Sequence, residues 1–208
     1  MPDDLNSVKT PAAARSRYHH GSLRSALLEA AEAVIAERGV DGFSLRETAR
    51  RAGVSPAAPA HHFGDARGLL TALAAEAFRE FGDALGAAGA RGSRKERLRA
   101  QGIAYVRFAL GEPAKFDLMW RYALIDRSDP DYVEASRGAF AVLDRVVRGG
   151  EGAEPGAFDP SVAPAIAAWA MVHGFARLAL DGAFGTEAGA AEQAVDGLLP
   201  LVLRHLDV

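Results

Sequence analysis

Histidine has the widest chemical reach of any side chain near neutral pH, and four of the six histidines in this chain stand as two adjacent pairs, His19-His20 and His61-His62. Neighbours on a helix project about 100° apart, so neither pair forms the same-face set that chelates a metal ion. The absence of cysteine removes disulfides, thiolate metal sites and cysteine nucleophiles. A Gly-rich run, GGEGAEPG at 149–156, lacks the preceding strand and the glycine spacing of a dinucleotide-binding loop. No nucleophile with a base, paired carboxylates or metal-ligating set stands at workable spacing. The expectation is a protein that is not an enzyme, with no catalytic residue, no metal and no cofactor.

Composition bounds the rest. A chain of 208 residues with 49% hydrophobic content can bury a substantial core, or a small head packed on a larger body. The formal charge is -3 and the sequence pI about 6.1, so any surface attractive to nucleic acid must be local. Residues 1–67 carry 9 Lys+Arg against 8 Asp+Glu and the remainder 15 against 19, so the N-terminal third is the less acidic part. The opening MPDDLNSVKTPAAARSR has no apolar core of signal-peptide length, and no run reaches the roughly 18 uninterrupted apolar residues of a membrane span. A cytoplasmic protein without a membrane partner is expected.

The periodicity is helical throughout. Residues 1–17 lack any pattern and read as a flexible arm ending in Arg15 and Arg17. Leu23, Ala26, Leu27, Ala30, Ala31, Val34 and Ile35 then repeat at i, i+3, i+4, i+7 until Gly39. Ser44-Leu45-Arg46-Glu47 reads as a capping box opening a short helix. Gly53 makes a tight turn, and Val54-Ser55-Pro56 reads as the entry to a second short helix with Ser55 as its N-cap and Pro56 in its first position. Asp65 caps a long helix to about Leu85. Ser93 to Glu96 is a second capping box, and Asp129-Pro130 and Asp159-Pro160 each pair an N-cap with a proline at the first helical position. Pro200 is expected to kink the last helix rather than end it, because apolar spacing continues beyond it. No segment alternates as a strand does. The expected fold is all-α, about nine helices, with a three-helix N-terminal head carrying a helix-turn-helix and a larger helical body.

Two short helices joined by a glycine turn form a unit whose second helix can enter the DNA major groove. The stretch YHHGSLRSALLEAAEAVIAERGVDGFSLRETARRAGVSPAAPAHHFGDARGLLTAL, from Tyr18 to about Leu73, resembles the DNA-binding domain of the TetR family of repressors. Gly53, Val54, Ser55, His62 and Phe63 match that pattern. Pro59 and Ala60 stand where Leu-Tyr is usual, and Ala66 replaces the usual Lys, with Arg67 beside it. The resemblance implies a helix-turn-helix domain over 18–64, with DNA contacts from Ser44, Arg46, Ser55, Ala57, Ala58, Ala60, His61 and, just beyond it, Arg67; Arg15, Arg17 and Tyr18 are expected to reach along the backbone or into the minor groove. Of these, Ser44, Arg46 and Arg67 would meet the backbone, and Ser55 to His61 the groove.

Trp169, His173 and Gly174, followed by Phe175 and Leu178, resemble the Trp-His-Gly signature of one class of TetR C-terminal domain. Residues 65–208 are then expected to sense a small-molecule effector and to form a homodimer through the last two helices, bound to a palindromic double-stranded operator. Phe108, Phe116, Met119, Trp120, Tyr122, Trp169 and His173 are the candidate effector-pocket residues. An aromatic stripe at helical spacing serves a packed core as well as a cavity wall, and both readings stand at this point. The implied function is a ligand-responsive transcriptional regulator acting as a repressor. The alternative is a helical protein-protein adaptor without DNA binding, which would explain the apolar faces but not the head.

Overall fold

The computed structural model describes residues 20–149 and 160–206, and these are helical with no strand among them. Local chemistry sets most of the helix ends. Helix α1, His20–Arg38, buries Leu27, Leu28, Ala31, Val34 and Ile35 and stops at Gly39, whose φ of 71° is a conformation glycine adopts without a Cβ clash. After a 3-10 turn at Val40–Gly42, helix α2, Leu45–Arg51, starts with the Ser44 side chain accepting from the Glu47 backbone N–H. The turn that follows is a Schellman motif: Gly53 N–H bonds to the Arg50 carbonyl and Val54 N–H to that of Ala49, with Gly53 at φ 67°.

Only half of the expected capping box at Ser44 forms. The Glu47 carboxylate does not return to the cap; it accepts from Arg50 at 2.7 and 2.8 Å and from Arg51 at 2.9 Å, with Arg38 at 3.4 Å. Three cations outcompete one backbone N–H because charge-assisted bonds are the stronger. Arg51 also reaches Glu37 on α1, so the cluster ties α2 to α1.

Helix α3, Ala58–Phe63, starts two residues later than the Pro56 entry expected from sequence. Ser55 does not cap it; its carbonyl accepts from Ala58 N–H at 3.0 Å, closing a turn over Pro56 and Ala57. Pro59 thereby becomes the second helical residue, where the missing N–H has no intrahelical partner to lose. Asp65 caps α4, Ala66–Ala88, by accepting from Gly68 N–H.

The body continues with α5, Arg94–Gly111, opened by a complete Ser93/Glu96 capping box. Helix α6, Pro113–Trp120, starts on Glu112-Pro113 and has no counterpart among the sequence expectations. Helix α7, Pro130–Arg148, is capped by Asp129 as expected. Pro160 opens a 3-10 turn rather than the helix itself, and α8 follows at Ala163–Leu180. The Gly-rich run beyond Gly149, and Asp159, the expected N-cap, lie outside the described residues. Helices α9, Ala190–Gly197, and α10, Leu199–Val202, are one helix interrupted at Leu198, two residues before Pro200. Counted that way, the described residues hold nine helices.

Helix α4 crosses the molecule. Leu69, Leu70 and Leu73 join Leu28, Ala31 and Ile35 of α1, while Phe78, Phe81 and Leu85 join Tyr105, Phe116 and Val172 in the same continuous core. Helix α8 with its preceding turn, Pro160–Leu180, is long and apolar enough to cross a membrane by length and composition alone. One face of it, with Ala165, Ala168, Val172 and Ala176, packs into the core.

The hydrogen bonds from Arg50 and then Arg51 hold the Glu47 carboxyl down from 4.5 to about 2. A carboxyl depressed by folding stabilises fully above its unfolded pKa and ceases to as pH falls through the folded one. The expected outcome is that wild-type stability declines between pH 4.5 and 2 by an increment that Glu47→Gln lacks, the variant being the less stable at pH 7; thermal melts across that range check it.

Candidate nucleic-acid interface and aromatic core

Helix α3 is oriented by what it buries. Pro59 is buried and Phe63 half-buried against the core, with the Arg24 guanidinium 5.4 Å from the Phe63 ring centroid. The opposite stripe, Ala57, Ala60, His61 and Gly64, follows i, i+3, i+4, i+7 spacing and faces outward. Ser55 is exposed beside it. Ala58, expected in the groove with the others, turns partly inward. His61 and His62 meet edge to face, ring centroids 5.6 Å apart.

The backbone-side candidates separate in role. Arg46 is exposed on α2. Ser44 is half-buried with its oxygen engaged as the α2 cap, and its O–H proton remains available to a phosphate. Arg67 of α4 is exposed, and its guanidinium donates to the Ile125 carbonyl at 2.9 Å, leaving the rest of its five N–H donors for other acceptors. Arg15, Arg17 and Tyr18 lie outside the described residues. Sequence reading missed Arg50, an exposed cation on α2 that Glu47 fixes in a two-pronged grip; the signal available was the i, i+3 spacing of the pair.

Charged side chains link this head to the body. Lys115 of α6 is 7% exposed and sits 2.8 Å from both Glu32 of α1 and Glu80 of α4. Burial lowers its affinity for a proton, but the two carboxylates prevail and raise it. Arg121 reaches Asp41. The segment after α6 is fastened to α4 a second time by Asp126 N–H, which donates to the Thr71 hydroxyl at 2.8 Å.

The candidate pocket residues divide into a cluster and two outliers. Phe116 and Met119 are fully buried. Trp120 packs edge to face on Phe78 at 5.4 Å and lies 5.5 Å from Trp169 and 5.0 Å from His173. A polar chain runs through these rings: Trp169 Nε1 donates to Tyr105 Oη at 3.1 Å, and the tyrosine lies 2.9 Å from His173 Nδ1. Tryptophan only donates, so the tyrosine proton is free for the imidazole. Burial, then the nearby Arg177, lowers the His173 pKa and favours the neutral ring that can accept it. Burial also pushes the Tyr105 hydroxyl pKa well up. Trp120 Nε1 is buried with no partner among the described residues. Tyr122 stands apart, 44% exposed and carrying Arg127 4.4 Å over its ring. Phe108 is half-buried and borders a groove of about 580 Å³ between α4 and α5. A void of about 10 Å³ adjoins Tyr105 and Gln101. The clustered aromatics thus pack against one another, with one unpaired donor among them.

Known proteins give the arrangement a lineage. Residues 27–73 match the family model described as bacterial regulatory proteins, tetR family, and residues 98–201 match a tetracyclin repressor-like C-terminal domain. A protein of unknown function from Rhodococcus sp. RHA1 is 34% identical, with a TM-score of 0.71 over 91% of this chain and 98% of its own. A bacterial regulatory protein of the tetR family from Rhodococcus RHA1 superposes at TM-score 0.62 and 22% identity over 88% of this chain and 96% of its own. LfrR of Mycobacterium smegmatis, a TetR-like transcriptional regulator solved with proflavine, does so at 0.61 and 20% over 89% and 97%. No curated protein matches. Half of the chain falls within the C-terminal model and the helix-turn-helix within the N-terminal one: the chain belongs to the TetR family of bacterial regulatory proteins.

Proposed function

We propose that the protein is a cytoplasmic, ligand-responsive repressor that binds a palindromic operator as a homodimer. Residues 1–17 serve as a DNA-seeking arm, 18–64 as the DNA-binding domain, and 65–208 as the effector and dimer domain. The observation that carries the reading is the outward stripe of Ala60 and His61 with the flanking caps Ala57 and Gly64, presented by a six-residue helix whose other side is anchored in the core. A helix held this way can enter the major groove while α2 braces it on the backbone. A protein-binding adaptor has no use for that geometry in a head of this family.

Dimerisation is supported by apolar side chains left exposed among the described residues. Ile166 and Leu178 of α8 are 41% and 50% exposed, and Leu198 and Leu201 beside Pro200 are 43% and 46% exposed. A Cβ at Gly174 would meet nothing within 4 Å, so this chain alone does not require glycine there, whereas close approach of a second helix does. Two heads set about 34 Å apart would then face successive major grooves.

Effector response is assigned to the Trp120, Trp169 and His173 cluster, by kinship with a ligand-binding relative such as LfrR with proflavine, and because an unpaired buried donor, Trp120 Nε1, is satisfied by a ligand acceptor. The mechanism is a population shift: a ligand that parts α6 from α4 alters the seam at Lys115 and Arg121 and favours a head spacing that DNA rejects.

Gel-shift selection from random duplex pools is expected to return a palindrome, and the Arg67→Ala variant to bind every sequence more weakly with a salt slope reduced by about one unit; altered base preference would remove Arg67 from the phosphate. Leu178→Glu is expected to sediment as a monomer with unchanged helicity and to lose palindrome binding, and a variant that remains dimeric would move the interface off α8. Trp120 and Trp169 are the two tryptophans of the chain, so effectors are expected to change intrinsic fluorescence over the concentrations that release DNA. Release with unchanged emission would place the sensor elsewhere.

A further inference from the structure

We infer that α3 reads its half-site through thymine methyl groups and one guanine, with His61 as the specificity-determining side chain. This rests on the DNA-binding reading above and deepens it.

The outward stripe has little chemistry to offer. Ala57, Ala60 and Gly64 carry no polar side-chain atom, and His61 alone in the stripe can form a side-chain hydrogen bond with a base. Each base pair shows a distinct edge in the major groove. Thymine shows a C5 methyl, guanine shows adjacent N7 and O6 acceptors, and adenine and cytosine show an exocyclic amine that requires an acceptor opposite. An alanine methyl cannot serve an amine and leaves it desolvated, whereas against a thymine methyl it buries apolar surface on both sides. Thymines opposite Ala57 and Ala60 are therefore favoured.

His61 is prepared for the remaining contact. Its imidazole is exposed and is backed edge to face by His62, which in turn stands 6.4 Å from Phe63. A ring held against another has fewer orientations to lose on binding than a free one. An imidazole N–H against the major-groove edge finds its richest acceptor at guanine N7. The short alanine side chains add a steric consequence: they let the α3 backbone approach the base edges closely enough for an imidazole, shorter than arginine or lysine, to reach.

Charged neighbours do not supply the discrimination. Arg50 is held on Glu47 and Arg67 on Ile125, and Arg46 lies on α2, the helix that braces against the backbone. Their contribution is common to all sequences.

The test uses the full chain and the operator it selects from a random pool. Replacing a contacted thymine by deoxyuridine, which removes only the methyl, is expected to weaken binding about fourfold per site. Replacing the contacted guanine by 7-deazaguanine is expected to weaken the wild type roughly tenfold and to leave His61→Ala unaffected, with circular dichroism melts confirming that the variant folds. Deoxyuridine operators bound as tightly as thymine ones, or a 7-deazaguanine penalty that persists in His61→Ala, would overturn the inference. A protein that retains duplexes but selects no consensus would overturn it too while leaving DNA binding intact. Failure to retain any duplex at low salt would instead bring down the DNA-binding reading itself.

Discussion

Burial along the whole of α4 governs how every other element is placed. Ten of its residues are buried, from Leu69 near the head to Leu85 in the body, and at roughly 1.5–3 kcal/mol for each large apolar side chain it is a dominant apolar contribution. A helix with its apolar length divided between two groups of partners cannot satisfy one without positioning the other. The head of α1 to α3 is therefore set relative to the body by packing, and a change in what α4 touches in the body is felt at its head end. Interiors at close-packed density transmit such shifts rather than absorbing them.

The polar groups along this helix divide into fixed and exchangeable. Lys115 is nearly inaccessible while its partners Glu32 and Glu80 are 38% and 50% exposed, so the buried ammonium depends on both carboxylates reaching it from the surface, and losing them would leave a buried charge unpaired. Arg67 on the Ile125 carbonyl and Thr71 under Asp126 form the neighbouring contacts, and at Arg67 water or a phosphate oxygen can replace the carbonyl at small cost. The seam between head and body thus has a firm centre at Lys115 and a looser margin beside the helix-turn-helix, which is where a DNA-dependent rearrangement meets least resistance.

In the body the same tension appears as a polar chain within a ring of aromatics. Trp169, Tyr105 and His173 satisfy one another in turn, and a fully satisfied network fixes side-chain orientation in a way that apolar contact alone does not. Trp120, wedged between Phe78, Trp169 and His173, has its ring packed and its N–H without a partner among the described residues. A site that is well packed and chemically incomplete at one atom has a reason to accept a ligand and a cost in doing so, since the rings must part. Under the proposed effector role, that cost is what would convert ligand binding into a conformational signal.

Local residue order was enough to establish the all-helical class, the caps at Asp65, Ser93 and Asp129, the glycine stops at Gly39 and Gly53, and the resemblance on which the helix-turn-helix was placed; the caps and stops are decided by atoms within a turn or two of one another. It did not announce α6, whose Glu112-Pro113 start is a weak local signal made decisive by Phe116, Leu118 and Met119 finding the core. It misplaced the start of α3 because Ser55 and Pro56 are locally a good helix entry, and only the burial of Pro59 and Phe63 draws the helix to begin at Ala58. Likewise Glu47 looked like a capping residue until folding brought Arg38, Arg50 and Arg51 around it. The candidate pocket was the least legible part: periodicity places Trp120, Tyr122 and Trp169 on helices or near their ends but carries no information on whether a ring meets another ring, a void or solvent. Those outcomes follow from packing between residues far apart in the chain, and they exist only once the helices have come together.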